Sequence, residues 1–160
     1  MLKITIACAG KIKETYLLEG IREYEKRLHA YCHVRWVVVQ DEKTPEGSSP
    51  QMEEQIRTTE GERLLKRIPQ DAYVIALAIE GRMLDSVAFS RHLDELAVKG
   101  NSHLVFVIGG SIGLSRAVLQ RADEKLSFSA LTFPHQLMRL ILLEQLYRAF
   151  RISRNEPYHK

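Results

Sequence analysis

Cysteine is almost missing from this 160-residue chain: Cys8 and Cys32 are the only two, and they do not form a CxxC pair. That excludes a disulfide framework and a redox dithiol, and two isolated thiols fit a reducing compartment. No apolar run approaches the roughly 20 residues that a bilayer-spanning helix needs. Strand-like sequence begins at Leu2, so no signal peptide is expected and the chain should stay in the cytoplasm. There are no internal repeats and no Pro-, Gly- or Ser-rich tracts, which excludes solenoids and long flexible linkers. Metal-ligand spacing is also lacking. His29, Cys32 and His33 (HAYCH) have the right chemistry but no matching fourth ligand, and they fall where a helix must break into a strand. No metal is therefore expected. Neither a nucleophile elbow nor a pair of hydrolase carboxylates is present.

What remains is an ordinary globular composition, 45% hydrophobic and 27% charged, enough for one domain spanning 1–160. The net charge of +3 is small but unevenly placed. From His135 onward there are five cations (Arg139, Arg148, Arg151, Arg154, Lys160) against Glu144 and Glu156, so this segment holds the whole surplus. Such asymmetry suggests a local anion-binding surface, with nucleic acid the usual partner.

Hydrophobic periodicity lays out the elements. Leu2, Ile4, Ile6 and Cys8 alternate with Lys3, Thr5, Ala7 and Ala9, predicting a strand with one buried face. Leu17, Ile21, Tyr24, Leu28 and Tyr31 recur at helical steps. Residues 34–39 form a second strand. Pro50, capped by Ser49, opens a helix that runs to about Ile68 with Gly61 as a tolerated weak point. The apolar stretch 72–79 predicts a central strand covered on both faces. A helix over 86–98, a buried strand over 103–108, a short helix after Ser115, a last strand over 126–129 and a helix over 134–151 complete the pattern. Alternating strands and helices specify an α/β fold with a parallel sheet between two helical layers. The last helix is apolar on more than one face, so cover on two sides is expected. A two-fold dimer that also uses the Tyr24–Leu28–Tyr31 edge would bury the surplus.

Ligands of such sheets bind beyond the carboxyl ends of the strands. Three segments lie there: Glu80-Gly81-Arg82, Gly109-Gly110-Ser111-Ile112-Gly113, and 129–134. The glycine loop lets a backbone approach a ligand with its N–H groups turned inward. Its spacing, GGxxG, is neither the dinucleotide fingerprint GxGxxG nor a Walker motif. His92 and His103 take structural roles on their helix and strand. His135, at a helix start, has two readings, a ligand contact and a local hydrogen bond, and the second is preferred.

Several separated motifs converge on one family. LVFVIGGSIGL, SFSALTFPHQLMR, LLEQLYRAF and a terminal YHK, with KITIACAGKIKETY and YEKRL near the start, resemble the RlmH-type SPOUT methyltransferases over essentially the whole chain. The resemblance implies a SPOUT domain with a C-terminal deep trefoil knot, knot and cofactor loops over about 72–134, and a terminal helix and tail over 134–160. It implies a homodimer that uses S-adenosylmethionine to methylate N3 of a pseudouridine in 23S ribosomal RNA of assembled ribosomes. The cofactor contacts it carries over are Leu77, Gly109, Phe128, Ser129, Ala130, Leu131, Thr132 and Phe133. The catalytic candidates are His159 as base or RNA-positioning donor, Arg148 for developing negative charge or a phosphate, and Tyr158 for stacking on a splayed base. Two other readings compete: a small nucleotide-binding oxidoreductase built on the glycine loop, and a non-catalytic ribosome-binding factor relying on the basic tail.

Overall fold

In a computed structural model describing Met1–Lys160, five β-rich segments pair side by side with helices between them. The strands are β1 (Leu2–Ala9), β2 (Cys32–Val39), β3 (Tyr73–Met83), β4 (His103–Ile108) and β5 (Glu124–Ser127). The helices are α1 (Thr15–Leu28), α2 (Pro50–Leu65), α3 (Ser86–Val98), α4 (Arg116–Arg121) and α5 (His135–Ser153). The sheet runs β2-β1-β4-β3-β5 with every pair parallel. No helix is long and apolar enough to cross a membrane.

Strand side chains alternate between two cores. Ile4, Ile6, Ile75, Leu104 and Phe106 meet Ile21 and Leu28 of α1, Phe89 and Leu93 of α3, and Leu142, Leu143 and Leu146 of α5. On the other face Ala7, Ala9, Val74, Val105 and Val107 meet Leu64 of α2 and Val118 of α4. The first strand is therefore buried on both faces, not on one, because α2 and α4 cover the side that carries its small residues Ala7 and Ala9.

The expected element boundaries shift in four instructive places. Helix α1 ends at Leu28, short of Tyr31, whose ring nevertheless stacks on Phe150 with centroids 5.5 Å apart. Helix α2 stops at Leu65, and Gly61 is more than a weak point. A Cβ there would run into the Ser115 side chain, the hydroxyl that caps α4, so α2 and α4 can pack closely only through glycine. Strand β3 continues past Ile79 to Met83, with a register jump between Leu77 and Arg82 opposite Leu126. Strand β5 begins earlier, at Glu124, after Asp123 accepts a 2.7 Å hydrogen bond from the Val74 N–H.

Helix α5 lies between α1 and α3, as its several apolar faces suggested. A Cβ on Gly20 would approach Leu140 to 2.8 Å, so α1 and α5 are in close contact. Ser90 donates to the Ala149 carbonyl at 2.6 Å from the α3 side. Beneath them Arg139 is 2% exposed and donates to the carbonyls of Ala9 (2.9 Å) and Gly10 (2.7 Å), tying α5 to the end of β1.

The tail's charge is spent mostly inside the chain. Arg139 is buried, Arg148 pairs with Glu144 at 2.8 Å, and Arg151 pairs with Glu156 at 2.8 Å. Only Arg154 and Lys160 of the five cations have no anionic or buried role, so the basic surface is thinner than charge counting suggested.

Candidate functional site

At the carboxyl ends of β3, β4 and β5 the chain encloses a cavity of about 990 Å³. One wall is Leu77–Glu80, a second is the glycine loop with Ile108 and Leu114, and a third runs from Leu126 through Ser129 to Met138. Glu53 and Arg57 of α2 close a further side. The register jump in β3 creates the first wall. Leu126 pairs with both Leu77 and Arg82, so residues 78–81 are pushed out of the ladder. Of the segment Glu80-Gly81-Arg82, only Glu80 reaches the cavity. Gly81 packs against β5, where a Cβ would sit 2.6 Å from the Leu126 nitrogen, and Arg82 turns to Glu124 at 3.4 Å.

The glycine loop is a closed turn. The Gly113 N–H donates to the Gly110 carbonyl at 3.1 Å, and Gly113 has φ +88°, a conformation that suits glycine. A Cβ on Gly109 would lie 2.7 Å from the Gly113 carbonyl carbon. Gly109 therefore permits the loop to close on itself, and a side chain there would first disrupt the turn. Two residues of α2 brace the loop: Arg57 donates to the Ile112 carbonyl at 3.3 Å, and the Glu60 carboxylate lies beneath Gly110.

Glu60 is buried and accepts a 3.0 Å hydrogen bond from the Glu42 N–H. Burial pushes its carboxyl above the usual range, partly offset by that bond and reinforced by the charges of Asp41 and Glu42. A raised folded-state pKa means that the cost of burying the charge is present at higher pH and fades as the group takes up a proton. Glu60→Gln keeps an acceptor for Glu42. Its unfolding midpoint should exceed that of the wild type at about pH 8 and lose this advantage below about pH 4. A difference that does not change with pH would show that ionisation of Glu60 has no part in it.

The third wall is tied locally. Ser127 donates to the Ser129 carbonyl at 3.1 Å, and the Ser129 hydroxyl accepts from the Leu131 N–H at 2.9 Å. Of the cofactor contacts carried over by resemblance, Leu77, Gly109, Phe128, Ser129, Leu131, Thr132 and Phe133 all line the cavity. Ala130 is exposed and lies outside the lining.

His135 also lines the cavity, and its ring makes no hydrogen bond within the chain, so the local hydrogen bond preferred for it is wrong and the ligand-side reading fits. Burial, with the Arg139 charge, pulls its pKa below the ordinary value and favours the neutral imidazole. The signal for it was its place one residue beyond Pro134, on the loop already assigned to the site. Nothing local marked Glu53 or Arg57. They reach the cavity only because α2 packs beside the glycine loop.

The structure brings the three catalytic candidates together, but not on the large cavity. Tyr158 donates to Glu144 at 2.8 Å, lies 3.3 Å from the Tyr24 hydroxyl, and packs edge-on against Tyr147. Arg148 covers the Tyr158 ring at 4.7 Å and lies 3.2 Å from Nδ1 of His159. Burial, together with the bonds to Tyr24 and Glu144, pushes the Tyr158 phenol well above its usual range. His159 borders a second cavity of about 500 Å³, lined also by Asp85, Phe89 and Gln145. The two cavities share Leu126, Ser127, Phe128 and Phe133, so they meet back to back across one wall. Within a single chain the Tyr158 ring faces Arg148 and Tyr147, and of the three candidates only His159 borders either cavity.

The thiols are core residues. Burial pushes Cys8 up to about 11 and Cys32 up to about 12, and Cys32 is buried while His29 and His33 are exposed. His103 bonds the Thr5 hydroxyl at 2.8 Å across β1 and β4, and His92 bonds Glu124.

A family model described as a predicted SPOUT methyltransferase matches residues 2–159. Proteins named ribosomal RNA large subunit methyltransferase H align over 99% of this chain and all of their own length. The protein from Listeria monocytogenes serovar 1/2a is 58% identical and that from Bifidobacterium adolescentis 55% identical. Among solved structures, a probable methylase family protein from Haemophilus influenzae Rd KW20 superposes with a TM-score of 0.57 at 15% identity. That match covers 98% of this chain and 70% of the other, and it shows a shared fold.

Proposed function

The chain belongs to the SPOUT methyltransferase family, and from that premise we propose that it is an RlmH-type enzyme methylating ribosomal RNA of the large subunit. In this reading it carries a methyl group from S-adenosylmethionine to N3 of a pseudouridine in 23S ribosomal RNA, on assembled ribosomes, in the cytoplasm. The observation that carries the reading is one cavity at the strand ends, two of whose walls are the glycine loop and the 126–138 segment that the motifs single out.

The residues present fit such a cofactor. Half of the 24 lining residues are hydrophobic, which suits an adenine ring, and the glycine loop leaves backbone rather than side chain along one wall. Leu77, Gly109, Phe128, Ser129, Leu131, Thr132 and Phe133 would hold it, with Ala130 contributing at most through its backbone. Bound there, the sulfonium supplies an activated methyl group for an in-line displacement. The chain's task is alignment, which is worth about 7–11 kcal/mol when the reacting atoms are held near 3 Å. It must also manage the imide proton at N3. His159 is the base or positioning donor, Arg148 stabilises the negative charge that develops on the imide, and Tyr158 holds the base.

A homodimer completes this reading. In one chain none of Arg148, Tyr158 and His159 lines the larger cavity, and only His159 borders the smaller one, so a partner subunit's tail would have to reach the donor cavity. The Tyr24–Leu28–Tyr31 edge expected at the interface is instead used inside the chain, where Leu28 and Tyr31 are buried and the tyrosine rings pack on α5. The half-buried residues Leu137 and Ile152 of α5 are left to offer a surface for that contact. The family's trefoil knot is part of the same reading. Its support is that β5 lies at the sheet edge while the following segment returns to place α5 between α1 and α3.

The deciding experiment incubates the protein with ribosomes that lack the modification and with labelled S-adenosylmethionine, then maps the labelled nucleotide. Label at a pseudouridine N3 of 23S RNA is expected, with a two-chain mass by light scattering at micromolar protein. Label elsewhere ends the substrate assignment, and a monomer mass ends the shared-site arrangement. Tight binding of NAD without S-adenosylhomocysteine would favour an oxidoreductase instead. Salt-sensitive ribosome binding with no methyl transfer would favour the non-catalytic factor.

A further inference from the structure

We propose that Arg57 and Glu53 of α2 recognise the amino-acid end of the sulfonium donor, the guanidinium its carboxylate and the carboxylate its ammonium. This rests on the donor-cavity reading above and adds residues that none of the loop motifs contains. The two are four positions apart on α2, hence on one helix face, and both line the cavity.

The chemistry of the lining narrows the choice. Among the residues around the cavity, Glu53, Arg57 and Glu80 are the only Asp, Glu, Lys or Arg, and Arg57 is the only permanent cation. A ligand carboxylate placed in this space therefore has one side chain with which to pair. The adenosine part of the donor is uncharged and is matched by Leu77, Ile108, Phe128 and Phe133 on the strand side. The donor's amino-acid part is a zwitterion, and Glu53 with Arg57 presents the complementary pair of charges.

Arg57 is also held in place. It donates through Nη1 to the Ile112 carbonyl at 3.3 Å, and through Nη2 and Nε to Glu54 at 3.0 and 3.3 Å. A guanidinium has five N–H donors, so two stay free for a ligand. Because one of its bonds ends on the glycine loop, the cation moves with the turn that would carry the donor. A preorganised arginine loses less side-chain freedom when it binds a carboxylate.

The test uses titration calorimetry on the full chain with two ligands. S-adenosylhomocysteine keeps the amino-acid end, and 5′-methylthioadenosine lacks it. Arg57→Ala should weaken S-adenosylhomocysteine by about tenfold to a hundredfold, the scale of a lost charge-assisted hydrogen bond. Methylthioadenosine affinity should stay within about twofold. Arg57→Lys should fall between, and Glu53→Gln should show a smaller loss confined to S-adenosylhomocysteine. An unchanged ratio of the two affinities overturns the proposal, and weaker RNA binding in its place would assign Arg57 to a phosphate. Equal weakening of both ligands also overturns it, since Arg57 would then only prop the loop. Failure of the wild-type protein to bind either ligand removes the donor cavity itself.

Discussion

Gly109→Val is expected to weaken S-adenosylhomocysteine binding by roughly tenfold to a hundredfold, and Gly109→Ala by nearly as much. The first methyl group is enough to cause the damage. A Cβ at this position would lie 2.7 Å from the carbonyl carbon of Gly113, 2.9 Å from its Cα and 3.0 Å from its oxygen. All three are backbone atoms, so no side chain can swing aside. Overpacking of this kind costs about 1–3 kcal/mol, and opening the turn to relieve it removes a wall of the cavity proposed for the donor. Gly110→Ala is the matched comparison. Its Cβ would meet a Glu60 carboxylate oxygen at 3.1 Å, the end of a side chain that can yield slightly, so its affinity should change only a few-fold. Wild-type affinity in Gly109→Val, measured calorimetrically, would take the loop out of the site.

Removing Tyr158–Lys160 should lower methyl transfer by about a hundredfold to ten-thousandfold, the range that positioned acid–base groups contribute. S-adenosylhomocysteine affinity should stay within about threefold, because none of these three residues lines the larger cavity. Some stability is lost as well, about 1 kcal/mol for the hydrogen bond from Tyr158 to Glu144. Tyr158→Phe separates the two effects: it drops that bond but keeps the ring between Arg148 and Tyr147. A parallel fall in donor binding and transfer would make the tail structural only. Mixing the tail-deleted protein with Gly109→Val decides whether subunits share a site. A mixed dimer pairs an intact donor cavity on one chain with an intact tail on the other, so activity should reappear only if the tail works across the interface.

The elements were legible wherever one physical signal dominated. Ser49, Asp85 and Ser115 accept cap bonds from Met52, Ala88 and Val118, and the Ser49 and Ser115 caps were readable in the chain beforehand. The parallel sheet followed from the alternation of strands with helices. What could not be read was close approach between distant segments. Gly61 reads as a tolerated weak point in sequence and Gly81 as part of a ligand loop, and Gly20 carries no signal, yet each is the point where a backbone or side chain from elsewhere fits. The same limit applied to the site. The glycine loop and the 127–139 segment carry motifs, whereas Glu53 and Arg57 lie in an unremarkable polar helix and reach the cavity only through packing. Charge counting misled for a related reason: it cannot tell a buried Arg139 or a paired Arg151 from a free cation.

The repeated pairing of Leu126 with Leu77 and Arg82 bears on how the protein is made. Residues 78–81 are displaced only when β5, nearly 50 positions later in the chain, has docked on β3, as the Asp123–Val74 bond records with its separation of 49. Parallel pairings of such sequence distance form slowly, since the intervening chain must be ordered first. Because β5 is also the last strand in chain order, a nascent molecule has its other four strands in hand before residues 78–81 can be displaced to form the first wall of the cavity.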